Sequence, residues 1–453
     1  MRIHRVILDK LKTWKDMPFR KPILLQGARQ TGKTWIMEEF GRTCFEQFAK
    51  FDFDENLELR KVFERTKDVE RLLKELALFV KVPLIPGRTL LIFDEVQECE
   101  AALNSLKYFH ENAPQFHIIA AGSLLGVAVR KKRMAVPVGK VTTLRMHPVT
   151  FQEFLRASDP ETWEYVEGLV KLENLPEIIL NRLLLEYKRY LVCGGMPEAV
   201  NHLLENRGIR EVDKVLQDIL ALYELDFAKY AEPVQIPRIH ALWHALPSQL
   251  ARENRKFIYK VVKTGARARE YEDGLLWLEE AGMIQRVFNT SKPGIPLSAY
   301  KDISAFKVYA ADCGLLRALA KVSPEIILGE HSNYTEFRGA IAENAVLQSL
   351  LPQCENIPYY WSSGNKAEVD FLLQLRTDII PVEIKSEHRV SGKSLSVYNK
   401  KFAPRCRIRF SSNNLQLNDG LLSCPLPLAD WVVKWLDNGT IQGKPVHCSN
   451  AIR

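Results

Sequence analysis

The residues best suited to chemistry include a glycine-rich stretch near the N-terminus. It has the pattern G-x-x-x-x-G-K-[ST] and consists of Gly27, Ala28, Arg29, Gln30, Thr31, Gly32, Lys33 and Thr34. In this pattern the glycines let backbone N–H groups face an anion, the lysine reaches the β- and γ-phosphates, and the hydroxyl binds Mg²⁺. A strand-like run before it and a helix-like run after it match the order that this chemistry needs. The stretch therefore predicts a loop that binds ATP with Mg²⁺.

A pair of acids forms the second part of this predicted site. Asp94 and Glu95 follow the apolar run at residues 90–93, and Ser123 follows the apolar run at residues 117–121. Parallel strands deliver such residues to the sheet edge where ligands collect. We expect Asp94 to bind magnesium, Glu95 to orient the attacking water and Ser123 to sense the γ-phosphate.

A further group of charged residues lies in the C-terminal third. Glu343 falls in a helical stretch and Asp370 in a strand-like run, while Glu383 and Lys385 share one face of the next strand. This order is similar to the PD-(D/E)xK nuclease superfamily. The resemblance implies that Asp370 and Glu383 hold Mg²⁺ at a scissile phosphate, that Glu343 completes the carboxylate set, and that Lys385 activates water. A nuclease-like fold that binds without cleaving is the alternative.

Two other clusters have a functional and an ordinary interpretation. His240 and His244 stand four residues apart, a spacing that binds zinc on a helix, but the sequence reveals no third ligand, so packed or exposed histidines are favoured. The basic residues 130–133 fall on a predicted loop. They would contact phosphate of DNA or of a neighbour's nucleotide, or else form a solvated loop.

The elements that must position the first site are strands alternating with helices. Strand-like runs occur at residues 22–26, 51–54, 90–94, 117–121 and 141–145. Their alternation with helical stretches predicts an α/β fold with a P-loop in a doubly wound parallel sheet, over residues 1–155.

Three further domains are predicted downstream. Residues 156–250 read as a helical lid with a sharp turn at Gly194 and Gly195, and residues 251–330 read as a winged helix-turn-helix. Arg267 and Arg269 would begin its recognition helix, where DNA is within reach. Residues 331–453 are expected to form the nuclease-like α/β domain.

Together these motifs carry a family resemblance. The loop, the run ending in Asp94 and Glu95, Gly122 with Ser123, and the exit at residues 147–155 resemble prokaryotic AAA-type ATPases with a C-terminal domain of unknown function. These are relatives of archaeal ATPases that carry winged-helix and nuclease-like domains. The resemblance covers nearly the whole chain and implies ATP hydrolysis coupled to interaction with DNA. Analogy with AAA relatives suggests a ring, but this branch also contains monomers, so the oligomeric state stays open.

One departure from the family concerns its arginine finger. Members commonly have a Gly-Arg pair shortly before the exit, whereas this chain has Gly139 and Lys140. A lysine lacks the bidentate fork of an arginine. Arg130, Arg133 and Arg145 are the candidate substitutes. A nucleotide-dependent switch that gates a protein partner, with little or no hydrolysis, is therefore the alternative function.

Length and composition limit the domain number, the partners and the cellular compartment that the sequence predicts. The chain of 453 residues exceeds a single hydrophobic core, and a formal charge of +8 permits a nucleic-acid partner without requiring one. No apolar run is long enough to predict a membrane span. The eight cysteines are scattered without a C-x-x-C pair, so a reducing cytoplasm is expected.

Overall fold

The computed structural model describes residues 3–132, 137, 139–252, 255–329, 335–364, 367–385 and 393–438. Its helices are α1 Ile7–Lys15, α2 Lys33–Cys44, α3 Leu57–Arg65, α4 Val69–Val80, α5 Glu100–Asn112, α6 Leu125–Lys132, α7 Phe151–Ser158, α8 Pro160–Glu167, α9 Glu177–Cys193, α10 Pro197–Leu204, α11 Ile209–Tyr230, α12 Ile236–Leu250, α13 Tyr259–Val262, α14 Ala268–Glu280, α15 Cys313–Leu319, α16 Pro324–Leu328, α17 Thr335–Leu350, α18 Lys393–Phe402 and α19 Val432–Asp437. Its strands are β1 Ile23–Gln26, β2 Gln47–Asp52, β3 Thr89–Asp94, β4 His117–Ala121, β5 Thr142–Arg145, β6 Ile284–Thr290, β7 Lys301–Ala310, β8 Tyr359–Ser362, β9 Glu368–Leu375, β10 Asp378–Ile384, β11 Arg407–Ser411, β12 Gln416–Asn418 and β13 Leu421–Pro425.

The N-terminal region contains a sheet of five parallel strands in the order β2-β3-β4-β1-β5. Strand β3 is buried along its whole length because helices cover both faces of the sheet. The predicted parallel α/β sheet is confirmed. Strand β2 begins at Gln47 rather than Phe51, because Gln47 pairs with Thr89 at the start of β3.

A glycine turn joins α9 to α10 in the helical region. Gly194 has φ +66°, and a Cβ at this position would lie 2.2 Å from Oδ1 of Asp312. The buried Asp312 accepts the N–H of Gly195 at 2.6 Å and that of Leu315 at 2.9 Å. The two glycines therefore let a distant carboxylate approach the backbone and fix where α10 begins.

The helices and hairpin expected in residues 251–330 are present, with α13 and α14 followed by the antiparallel pair β6 and β7. Helix α12, which the sequence assigned to the lid, packs against α13, α14 and β7. Leu275, Trp277 and Leu278 of α14 are buried as predicted, and Gly282 follows the helix with φ +74°.

The C-terminal sheet extends beyond the predicted C-terminal domain. Its order is β12-β13-β11-β10-β9-β8-β6-β7, in which β6 pairs with β8 through Asn289 and Tyr360. The hairpin and the nuclease-like region thus share one sheet, although the predicted boundary at residue 330 separates them. Of the described helices, none combines the length and the apolar composition that crossing a bilayer requires.

Candidate functional site

The glycine-rich loop connects β1 to α2, in the strand–loop–helix order that the sequence predicts. Gly32, immediately before the helix, has φ +89°. A Cβ on Gly27 would lie 2.4 Å from the carbonyl oxygen of Met146, so this position needs glycine for close approach. The loop can therefore turn its N–H groups toward one point beside the helix N-terminus.

Lys33 lies inside the loop. Its Nζ donates to the carbonyl oxygens of Gly27 at 2.9 Å and Ala28 at 2.8 Å. Burial lowers the pKa of Lys33 to about 8, although Glu95 and Asp94 act in the opposite direction. The Lys33 amine thus lies at the loop, where phosphates are expected.

Thr34 and Asp94 form a pair of oxygen ligands at the carboxyl end of β3. The Thr34 hydroxyl donates to Oδ2 of Asp94 at 2.8 Å, and Nζ of Lys50 lies 3.5 Å from the same oxygen. Burial raises the pKa of Asp94 above its usual range. A hydroxyl and a carboxylate are ligands that Mg²⁺ prefers, so this pair fits the predicted magnesium site.

Glu95 and Ser123 contact each other directly. The Ser123 hydroxyl donates to Oε1 of Glu95 at 2.5 Å, its N–H donates to Oε2 at 3.2 Å, and the Gln97 amide donates to Oε2 at 2.6 Å. Burial opposes ionisation of Glu95, but these hydrogen bonds lower its pKa below the usual range. The predicted base is therefore an oriented carboxylate, held by the predicted sensor.

A cavity of about 770 Å³ adjoins the loop. Gln30, Gly32 and Trp35 line one side, and α10 contributes Pro197 and Asn201 to the other. Sequence reasoning missed this cavity because its walls come from segments far apart in the chain. The proline after the glycine turn was the available signal.

The segment before α1 also supports the loop. Arg5 is buried and forms an ion pair with Glu153 at 2.9 Å. It also donates to the carbonyl oxygens of Thr31 at 3.2 Å and His147 at 2.6 Å. This buried arginine thus ties the loop to the start of α7.

The helical region contacts the loop as well. Asp226 of α11 forms an ion pair with Arg29, and the Tyr223 hydroxyl donates to the carbonyl oxygen of Arg29 at 2.9 Å. At the end of α14, a Cβ on Gly282 would lie 3.0 Å from the nitrogen of Ala28. Two helices from the middle of the chain therefore lie against the loop, which the sequence did not indicate.

The candidate arginine fingers have different surroundings. Arg130 lies in helix α6, so the prediction of a loop at this position was wrong. The helix forms because it buries the apolar side chains of Leu125 and Val127. Its side chain contacts Asp273 of α14 at 2.8 Å. Arg145 is exposed at the end of the edge strand β5, and Arg133 lies outside the described residues.

The acids of the C-terminal region are paired with internal cations. The fully buried Lys307 places its Nζ 3.3 Å from Glu343, 2.7 Å from Glu368 and 3.9 Å from Asp370. Glu343 also contacts Arg255 and accepts the Tyr309 hydroxyl. The sequence did not single out Lys307, because nothing local marks it as different from any other strand lysine.

Glu383 and Lys385 share a face as predicted, 3.3 Å apart, and Arg409 lies 3.3 Å from Glu383. Asp370 accepts the N–H of Ile384 at 2.7 Å, which places it beside Glu383 across β9 and β10. Among the residues that the structure describes, however, these carboxylates do not belong to a cluster of three or more possible metal ligands whose ligand atoms all lie within 4.8 Å of one another.

Three family profiles match separate parts of the chain. Residues 19–155 match the AAA domain, residues 184–326 match a domain of unknown function (DUF8612), and residues 338–429 match another (DUF4143). The first match covers the loop, Asp94, Glu95 and Ser123. The N-terminal part of the chain is thus similar to the AAA domain, and the regions after it match families that have no assigned function.

Among solved structures, a Walker-type ATPase of Pyrococcus abyssi is 14% identical, with 70% of this chain and 96% of that one covered and a TM-score of 0.45. Aeropyrum pernix ORC2 with ADPNP and ADP is 14% identical over 72% and 94% of the two chains, with a TM-score of 0.39. Aeropyrum pernix ORC1 in complex with DNA is 14% identical over 71% and 93%, with a TM-score of 0.26. A comparison with curated protein sequences gave no match.

Proposed function

We propose that the AAA domain binds ATP and hydrolyses it. The observation that carries this proposal is the convergence of three contacts at one sheet edge, namely Lys33 within the loop, Thr34 on Asp94, and Ser123 on Glu95. Each has the residue type that its step requires.

The division of labour follows from these contacts. The loop N–H groups and Lys33 would hold the phosphates, and Thr34 with Asp94 would hold Mg²⁺, which when bound neutralises phosphate charge. Glu95, ionised and fixed by Ser123, would accept a hydrogen bond from the attacking water and align it with the γ-phosphate. The adjoining cavity would take the base and ribose.

We further propose that nucleotide state is transmitted to a DNA-binding surface on residues 251–330. Arg267 and Arg269 are exposed at the beginning of α14, whose C-terminal end lies against the loop near Ala28. Lys260 and Lys263 are exposed just before this helix. A basic surface of this kind suits phosphate contacts, and a rigid helix links it to the nucleotide.

A second candidate is a nucleotide-dependent switch whose nuclease-like region binds a partner without cleaving. Lys307 favours it, because an ammonium group already lies among the carboxylates of Glu343, Glu368 and Asp370. A divalent ion there would have to displace this buried cation. Cleavage by Asp370, Glu383 and Lys385 with Glu343 stays the competing prediction.

The experiment is to measure ATP turnover by the wild type and Glu95→Gln, each with and without duplex DNA. Glu95→Gln should bind ATP normally while turnover falls by roughly 10²–10⁴-fold, the usual contribution of a general base. Glu100→Gln, an exposed glutamate at the start of α5, is the matched control and should behave as wild type. Unchanged turnover in Glu95→Gln would remove the assigned role.

The wild type, together with the further variant Lys385→Ala, separates the two candidates. Strong stimulation of wild-type turnover by DNA supports an ATP-driven DNA-associated enzyme, whereas tight ATP binding with negligible turnover supports the switch. If the wild type nicks DNA in the presence of Mg²⁺ and Lys385→Ala does not, the result would support the prediction that the nuclease-like region cleaves DNA. If neither the wild type nor Lys385→Ala nicks DNA, the result would support a nuclease-like region that binds without cleaving.

A further inference from the structure

We propose that Glu224, His240 and His244 bind a divalent transition-metal ion of the zinc type. The ligand atoms of these three side chains all lie within 4.8 Å of one another. Glu224 comes from α11 and the two histidines come from α12. The fold thus supplies the third ligand that the sequence around His240 and His244 lacks.

Both imidazoles lie beside the carboxylate of Glu224. Nε2 of His244 lies 3.2 Å from Oε1 of Glu224, and Nδ1 of His240 lies 4.0 Å from Oε2. The two imidazole rings are nearly parallel, with an interplanar angle of 13° and centroids 6.2 Å apart. An edge-to-face contact with Phe227, at 5.0 Å, helps to hold the ring of His240.

The donor set selects the class of ion. Two imidazoles and one carboxylate suit Zn²⁺, Co²⁺ or Ni²⁺, whereas Mg²⁺ and Ca²⁺ prefer oxygen ligands throughout. The side chains are 35%, 33% and 55% exposed for Glu224, His240 and His244, so water can complete the coordination. Such an ion would join α11 to α12.

The position of the site gives this link a consequence. Helix α11 also carries Tyr223 and Asp226, which contact Arg29 of the nucleotide loop. An ion that bridges α11 and α12 would bind only the folded chain, because only folding brings the three ligands together. It would therefore raise the stability of the folded state.

The test is a titration of the full chain, without a polyhistidine tag and stripped of metal, with Co²⁺ followed by visible absorption. The wild type should bind one equivalent that Zn²⁺ displaces. Even an outer-shell partner changes metal affinity by about 10–100-fold, so His244→Gln and Glu224→Gln should each lose at least that much. Zn²⁺ should raise the melting temperature of the wild type and leave both variants unchanged.

Two controls make the result specific. His4→Gln removes an imidazole that pairs with the carboxylate of Asp9 at 3.3 Å, away from the proposed site, and should retain Co²⁺ binding. Asp94→Asn should also retain it, which separates this site from the predicted magnesium site. No saturable binding by the wild type, or equal binding by the wild type and the Glu224 and His244 variants, would overturn the proposal.

Discussion

At the level of single residues, the protonation state of the buried Lys33 amine determines how strongly the loop binds an anion. Burial holds the pKa of Lys33 at about 8, well below that of an exposed lysine, although Glu95 and Asp94 act to raise it. The ammonium form is the one that attracts phosphate. Protonation of this single group should therefore be visible in nucleotide affinity.

Affinity for ATP should fall as the pH rises through about 8. Bound phosphate stabilises the ammonium form and raises its pKa, so binding above pH 8 takes up a proton and weakens by up to about tenfold per pH unit. Isothermal titration between roughly pH 7 and pH 9.5 measures this slope. Lys33→Arg, which stays charged, should lose the slope, and a flat wild-type profile would contradict the assignment.

The places of these residues in the fold could be predicted because the sequence patterns that carry them are local. Lys33 and Thr34 follow from one motif, and Asp94 and Glu95 from one strand end. The contact between Glu95 and Ser123 required parallel strands to bring two separate runs to one edge, which the alternation of elements also predicted. Lys307 could not be predicted, since only the folded sheet brings it to the acids.

At the level of elements, the turn at Gly194 and Gly195 sets the position of α10 and hence one wall of the cavity beside the loop. Asp312 approaches this turn so closely that a side chain on Gly194 would collide with it. Changes here should reach the cavity without touching any residue of the nucleotide loop.

Gly194→Ala should lower the melting temperature and weaken ATP binding. The new Cβ would meet Oδ1 of Asp312 at 2.2 Å and the nitrogen of Gly314 at 2.7 Å, in addition to the strain of a positive φ. Gly208→Ala is the matched control, because φ there is +95° but nothing lies within 4 Å of the position that its new methyl group would occupy.

The control should show only backbone strain, about 1–3 kcal/mol. Thermal melting and ATP titration of both variants give the comparison. If Gly208→Ala proved as damaging as Gly194→Ala, the close approach of Asp312 would have no special role.

Element types were predictable where a periodic pattern coincided with burial. Helix α14 and strand β3 follow their sequence signals closely. The error at α6 arose because a basic tail was taken as a loop, although the helix extends through Arg130, which contacts Asp273 on α14. Partners so distant in sequence leave no local trace.

At the level of the whole molecule, the middle of the chain connects the nucleotide loop to both downstream regions. Helices α11 and α14 lie against the loop, and strand β6, which follows α14, pairs with β8 of the C-terminal region. The sequence suggested separate domains, because no local pattern reveals that two regions share one sheet. This continuity gives the AAA domain a physical route to the rest of the chain.

Changing Arg267 and Arg269 together to alanine should weaken duplex DNA binding. Each lost phosphate contact reduces the slope of log affinity against log salt by about 0.9, so the double variant should lose roughly two units of slope. Fluorescence anisotropy at several salt concentrations measures this change.

The double variant of Arg65 and Arg88, also to alanine, removes two exposed arginines from the AAA domain and should keep the wild-type slope. Equal slopes in all three proteins would exclude the start of α14 as a phosphate-contacting surface. The basal ATP turnover without DNA should be the same in each.

The central claim is that the loop around Lys33 binds ATP, and equilibrium titration of Mg-ATP into the wild type and Lys33→Ala tests it most directly. The wild type should bind one equivalent. Loss of hydrogen bonds to a charged group, worth about 1.5–3 kcal/mol, should weaken binding in Lys33→Ala by at least about tenfold. Lys12→Ala, an exposed lysine on α1, should bind as the wild type does. Equal affinity in Lys33→Ala and the wild type, or no binding by either, would contradict the account.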